Sequence, residues 1–329
     1  MNLLSKEEYL NGIKEGNTIV LSRAITLLES TRLDHNELAR EIIEDLLPYT
    51  GNSIRLGVTG VPGVGKSTFI EAIGEQLILD GGKLAILAID PSSQLTKGSI
   101  LGDKTRMEKL SGNSRVYIRP TPAGDALGGV GRKTRETIML CEAAGYDKII
   151  VETVGVGQSE IAVHSMVDCF LLLLLPGAGD ELQGIKRGIM EMADIICVNK
   201  AYDEAELLSS AKKAMLELKN ALHYFPQKEH SWLTRVMAMD ALHGENLEGL
   251  MAALNQYFQH QNLEGFFELR RKNQDLYWFN ETIHQRLMNN FFGQQEVKNK
   301  IENLKAAILE GRISSFKAAE ELLAGFRTL

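Results

Sequence analysis

The 329-residue sequence predicts an α/β fold: a mostly parallel β-sheet between two layers of helices, with further helices at both ends of the chain. Three observations predict it. Between residues 51 and 258, short runs that are apolar on both faces alternate with longer helical patterns, as strands covered on two sides do. The first run, Ile54–Thr59, leads into Gly60-Val-Pro-Gly-Val-Gly-Lys-Ser67, the G-x-x-x-x-G-K-[ST] phosphate-binding pattern, and an apolar helical stripe (Phe69, Ile70, Ile73, Leu77) follows it. Outside this region apolar residues recur only at helical spacing.

Residues 1–50 form an N-terminal helical region. Ser5 with Glu8 makes a capping box, Leu21/Ile25/Leu28 and Leu38/Ile42/Leu46 make two stripes, and Pro48 stops the second. After Ile54–Thr59, the strand-like runs are Leu84–Ile89, Val116–Ile118, Lys148–Val151, Cys169–Leu175, Asp194–Val198 and Arg235–Met239, separated by crossover-length segments. With the glycine loop after the first of them, residues 51–258 read as a P-loop NTPase three-layer domain. Ligands in such sheets sit beyond the carboxyl ends of the strands. In residues 259–329, Leu276/Phe279/Ile283/Leu287 and Val297/Ile301/Leu304/Ile308 repeat at helical spacing. Gly311 suits the end of the second helix, and Ser314 or Ser315 opens a last one through Phe316, Ala319 and Leu323. These stripes have no sheet of their own, so they either fold back on the domain or pair with a second chain.

Composition narrows the partners. A net charge of -7 gives no overall attraction for nucleic acid or an anionic membrane. No apolar run is long enough to span a bilayer, and the N-terminus lacks a basic-then-apolar signal, so the expectation is a cytoplasmic protein. Cys141, Cys169 and Cys197 lie far apart, two of them within strand-like runs, and read as small core residues without metal or disulfide.

The chemistry gathers at strand ends. Gly60, Val61, Pro62, Gly63, Val64, Gly65, Lys66, Ser67 and Thr68 form a loop whose backbone N–H groups face phosphate oxygens. Lys66 reaches the β/γ-phosphates, and Ser67 offers its hydroxyl to Mg2+. Asp90 follows a strand, as a magnesium carboxylate or as a turn-starting residue before Pro91. Asp103 lies beside Lys104 and Arg106, as a metal ligand or a helix cap. Glu152 ends a hydrophobic strand and precedes Gly155. Phosphate-loop enzymes place there a magnesium or water-orienting acid, then an N–H that senses the γ-phosphate. The glycine-rich, basic stretch Gly128–Lys133 reads as a mobile loop facing nucleotide, partner or solvent.

Together these segments resemble the MeaB/ArgK family of GTPases, also labelled LAO/AO transport ATPases. The likeness is carried by Leu56–Ser67, Asp90–Ser93, Gly98–Met107, Cys141–Asp147, Val151–Glu160 and Asp180–Lys186. The resemblance implies a Mg2+-dependent GTP hydrolase, binding GTP and GDP. Its implied partner is an adenosylcobalamin-dependent methylmalonyl-CoA mutase or a close relative, whose cofactor loading it gates and which it protects. It also implies a homodimer joined through C-terminal helices. By the same resemblance, Lys66, Glu152, Gly155 and Gln158 are catalytic, and Ser67, Asp90, Asp103 and Glu152 surround the metal. The segments around Asp103, around Gln158 and at Asp180–Lys186 correspond to switch loops.

The base-reading segments depart from the family pattern. The family's Asn-Lys-x-Asp is here Asn199-Lys200-Ala201-Tyr202-Asp203, with tyrosine where aspartate belongs and Asp203 one place late. Its Ser-Ala-Leu is here Asp240-Ala241-Leu242. Asp203 by a register shift, or Asp240, are the candidates to read guanine; otherwise both sites have drifted together. Two other classes stay open: a kinase linked to basic amino-acid transport, for which no acceptor-positioning base is visible, and a metallochaperone-type NTPase. Seven scattered histidines and three isolated cysteines give the latter no metal-rich tract.

Overall fold

The computed structural model describes residues 3–90, 107–122, 127–153, 159–177, 187–202, 205–226, 228 and 231–324. Seven strands, β1 (Ile54–Gly60), β2 (Leu84–Asp90), β3 (Val116–Pro122), β4 (Lys148–Glu152), β5 (Cys169–Leu174), β6 (Ile195–Val198) and β7 (Arg235–Ala238), make one sheet in the order β3-β2-β4-β1-β5-β6-β7. Every pairing is parallel, so the sheet expected as mostly parallel is wholly so.

Right-handed crossovers then assign the helices to faces. The chain moves from β1 to β2 in one direction, placing α4 (Lys66–Leu77) on one face; α5 (Glu108–Ser111) belongs to the next crossover in that direction. From β3 onward it moves the other way, so α6 (Leu127–Ala143), α7 (Ser159–His164), α8 (Arg187–Met192) and α9 (Ala205–Leu222) cover the opposite face. After β7, α10 (Leu247–Leu263) packs against α4 and so returns to the first face. The core between α4, α10 and the sheet is built from Val58, Phe69, Ile70, Ile73, Leu171, Leu254 and Tyr257. Burying each large apolar side chain contributes about 1.5–3 kcal/mol.

The N-terminal helices α1 (Lys6–Lys14), α2 (Thr18–Glu29) and α3 (Leu33–Leu46) pack against α6. The capping box forms: Glu8 N donates to Ser5 Oγ and Ser5 N to Glu8 Oε2. Asn17 caps α2 by accepting from Ile19 N and Val20 N.

One expectation is corrected. Gly128–Lys133 lies within α6 and is not a loop. Its basic end is tied into structure: Lys133 Nζ donates to Glu29 O (2.9 Å), and Arg132 pairs with Glu136 one turn on (2.9 Å). Tertiary packing outweighs the helix cost of glycine, about 1 kcal/mol per residue.

The chain divides into two compact units, Met1–Gln274 and Asp275–Leu329. The division falls inside α11 (Phe266–Gly293). Its first turns belong with the larger unit because Arg270 reaches Asp194 Oδ2 (3.2 Å), Arg271 clasps Asp168 (2.9 and 2.7 Å) and Gln274 Nε2 donates to Val167 O (2.8 Å). The smaller unit holds the rest of α11, then α12 (Gln295–Leu309) and α13 (Ser315–Ala324). Gly311, at φ 71°, follows the end of α12, and Ser314 Oγ accepts from Lys317 N at the start of α13.

The three cysteines are buried and unbonded to one another, and burial pushes the Cys197 thiol up to about 12, so it stays protonated. Among the described residues no helix is long and apolar enough to cross a membrane.

Candidate functional site

The glycine loop joins the C-terminal end of β1, at the centre of the sheet, to α4. Two of its glycines are required by close approach. A Cβ at Gly60 (φ 157°) would lie 2.6 Å from Leu173 O, and one at Gly65 (φ 95°) would lie 2.9 Å from Asn199 Nδ2. Gly65 is also the left-handed cap of α4, leaving the first amides of Lys66, Ser67 and Thr68 outside the helix ladder at its positive end. That end is an anion site in both charge and hydrogen-bond direction. Gly63, at φ 77°, faces open space.

Lys66 is 9% exposed, and its Nζ donates to Gly60 O (2.9 Å) and Val61 O (3.3 Å) across the loop. Burial lowers its pKa below that of an ordinary lysine, against the opposing pull of Glu152 and Glu160.

Glu152 closes β4 in register with Val58 of β1 and Ala88 of β2, so it stands beside the start of the loop. Asp90 closes β2 two residues beyond Ala88, on the same carboxyl edge. After Glu152, Thr153 N donates to Val58 O (3.0 Å) and its Oγ1 to Thr59 Oγ1 (2.8 Å), stitching the two strand ends together. The sequence reading gave no role to Glu160. It is 1% exposed in α7 and acts on Lys66 through charge, a relation that only the fold reveals.

The β6 loop is locked to the glycine loop. Asn199 Nδ2 donates to Val64 O (2.9 Å), while its Oδ1 accepts from Ala241 N (3.0 Å). Lys200, at φ 58°, donates from Nζ to Gly63 O (2.9 Å), and Ala201 N donates to Met239 O (3.1 Å). One buried amide therefore aligns three segments drawn from β1, β6 and β7. Tyr202 is 38% exposed. Asp240 is buried and turned onto its own loop: Oδ1 accepts from Leu242 N (2.9 Å) and His243 N (3.2 Å), and His243 Nδ1 lies 3.2 Å from Oδ2. Burial works to raise its pKa, but these hydrogen bonds and His243 hold it below the usual carboxylate value. Its carboxylate shapes the turn that presents Ala241 and Leu242.

The structure thus gathers Gly60–Thr68, Glu152, the end of β2 at Asp90, Asn199, Lys200 and Asp240–Leu242 on one edge of the sheet. Asp103, Gly155, Gln158 and Asp203, and the segment 180–186, lie outside the described residues.

A strand, a glycine loop and a helix opening on lysine, set at the carboxyl edge of a parallel sheet, define a P-loop nucleoside triphosphatase. Residues 21–296 match the family model of the methylmalonyl Co-A mutase-associated GTPase MeaB, and the chain belongs to that family. Escherichia coli GTPase ArgK is 40% identical to it over 95% of this chain and 94% of that protein. The mouse mitochondrial methylmalonic aciduria type A homolog is also 40% identical, over 96% of this chain and 78% of its own length. A crystal structure described as an LAO/AO transport system kinase matches with TM-score 0.79 and 33% identity, covering 99% of this chain and 100% of that one.

Proposed function

We propose that the chain is a Mg2+-dependent GTP hydrolase that serves an adenosylcobalamin-dependent methylmalonyl-CoA mutase, gating cofactor loading and protecting the enzyme. The observation that carries the reading is Asn199, whose amide fastens the phosphate loop at Val64 to the β7 loop at Ala241, joining the segments that the resemblance assigns to phosphates and base. In this reading the open amides at the start of α4 hold the β- and γ-phosphates, and Lys66 leaves its loop carbonyls to meet them. Glu152 orients the attacking water from the tip of β4, and Glu160 adds a negative charge that favours the Lys66 ammonium. Gly155 and Gln158 act in the switch that senses the γ-phosphate.

The donors near the loop suit magnesium: a serine hydroxyl at the head of α4 and carboxylates on the neighbouring ends of β2 and β4 are hard oxygen ligands. Ser67, Asp90, Glu152 and Asp103 would hold the ion, with phosphate oxygens completing its shell. Bound there, it neutralises charge developing on the phosphates. The output is a conformational change passed to the mutase, and the chain works as a homodimer through its C-terminal helices.

The test is to mix the purified chain with a methylmalonyl-CoA mutase and measure phosphate release and complex formation. The expected outcome is a complex and faster GTP turnover. Absence of both overturns the mutase role. The hydrolase reading is tested apart from it: Lys66→Ala should lose GDP binding, and Glu152→Gln should bind GDP but hydrolyse GTP at least tenfold more slowly. Unchanged turnover in both variants refutes the assigned roles.

A further inference from the structure

A cavity of about 580 Å³ lies beside β7. Its lining comes from Lys219 near the end of α9, from Ser231–Met237 leading into β7, and from Gly249, Ala253 and His260 on α10. Crossover handedness puts α9 and α10 on opposite faces, so the cavity wraps around the outer edge of the sheet. Its lining includes the residues that enter β7 at its amino end, whereas the glycine loop occupies the carboxyl edge.

Three features converge there. The first is charge: among the described residues lining it none is acidic, while Lys219 and Arg235 bring fixed positive charge in a chain of net charge -7. The second is a rigid aromatic wall. Trp232 Nε1 donates to Asp194 O (3.0 Å), Tyr257 meets the ring edge-on at 5.1 Å, and the Arg235 guanidinium rests 5.2 Å from its centroid. The third is an open strand edge. Arg235 N and Met239 N point to β6, donating to Asp194 O and Val198 O, so Val236 between them turns its N–H and C=O outward. Ala238 O is already taken by Asn246 Nδ2 (2.7 Å), which leaves Val236 as the available rung. Of the lining residues Leu233 is 77% exposed, and on α9, one turn before Lys219, Leu216 is 61% exposed. That apolar surface extends beyond what a small ligand inside the cavity would cover.

We propose that this edge docks an acidic, extended segment of a partner protein. The segment's backbone pairs with Val236, its carboxylates meet Lys219 and Arg235, and an apolar side chain rests on Leu233, beside the buried Trp232. Strand addition of this kind takes affinity from main-chain hydrogen bonds and specificity from alternate side chains. The proposal is independent of the nucleotide reading.

The probe is an acetylated peptide of alternating valine and glutamate. The chain has two tryptophans, so in a Trp278→Phe background emission reports Trp232 alone; calorimetric titration of the wild-type chain gives a second readout. The expected result is saturable binding that weakens at least tenfold with Lys219→Glu and Arg235→Glu together. It should weaken as much when the central peptide amides are N-methylated, and vanish when lysine replaces glutamate in the peptide. GDP affinity should stay unchanged in the charge-reversed chain. No saturable binding overturns the proposal, as does equal binding of the N-methylated peptide or of free glutamate at the same carboxylate concentration, which would mark a small-anion site instead.

Discussion

Asn199 shows how much of the site rests on a single side chain. Its amide is 2% exposed and satisfies two backbone groups from different loops, Val64 O and Ala241 N. Removing it leaves both groups buried and unpaired, at about 1–3 kcal/mol for such a loss. Asn199→Ala should therefore lower the urea midpoint and weaken GDP binding at least tenfold, although no atom of Lys66 or Ser67 has changed. Asn199→Asp keeps the acceptor for Ala241 N but sets a carboxylate oxygen against Val64 O in a buried site, so it should weaken binding at least as much as alanine. Wild-type GDP affinity in Asn199→Ala would refute this positioning role. The phosphate loop and Glu152 were legible in the sequence because their pattern is local: a strand, then glycines at fixed spacing, then lysine, or an acid at a strand tip. Glu160 was not, because its relation to Lys66 depends on how α7 is turned over the sheet. Asp240 is a base-facing candidate because of its place in the sequence; that its Oδ1 also holds the turn through Leu242 N and His243 N is visible only in the fold.

At the scale of elements, the strands announced themselves as apolar runs, but the ties at their amino ends did not. Asp194, just before β6, accepts from Phe170 N (2.9 Å) of β5, Lys228 Nζ (3.0 Å) and Arg270 Nη1 (3.2 Å) of α11. Its partners lie 24, 34 and 76 positions away, so no window of sequence contains the pattern. Burial alone would raise its pKa; the charges of Arg270 and Lys228 and the Phe170 amide instead hold the carboxyl well below the usual range. The sign of the pH effect follows. The folded value lies below the unfolded one, near 3.9, so the contribution is fully present above pH ~4 and lost as the pH falls toward the folded value. Urea unfolding should show stability dropping on acidification below pH ~4. Asp194→Asn strands the Arg270 charge and should cost about 3–5 kcal/mol at pH 7, with a smaller further loss on acidification than the wild type. An unaltered acid limb in the variant would show that other carboxylates govern that range.

For the whole molecule, the question is what completes the smaller unit. Asp275–Leu329 is well below the size at which a helical segment commonly builds a sufficient core, roughly 70–80 residues. Among its described apolar residues, Trp278, Val297 and Ala318 are the buried ones, while Leu276, Phe279, Leu287 and Phe316 are 63, 63, 58 and 83% exposed. With Ile283, 40% exposed, the α11 set recurs at intervals of three and four, so it forms one stripe along the helix, the face that a helix normally buries. Leaving such a stripe in water carries a penalty; in the proposed homodimer a second copy presenting the same stripe would cover it symmetrically, since a twofold interface pairs one patch with itself. Sedimentation of the purified chain should therefore give a dimer at micromolar concentration. Phe279→Asp with Leu287→Asp places charges on both copies of the seam and should give a monomer. Its GDP affinity should be retained, because the glycine loop, Glu152 and Asn199 all lie in the larger unit. A wild-type monomer, or a dimer untouched by the two aspartates, would assign those helices another cover.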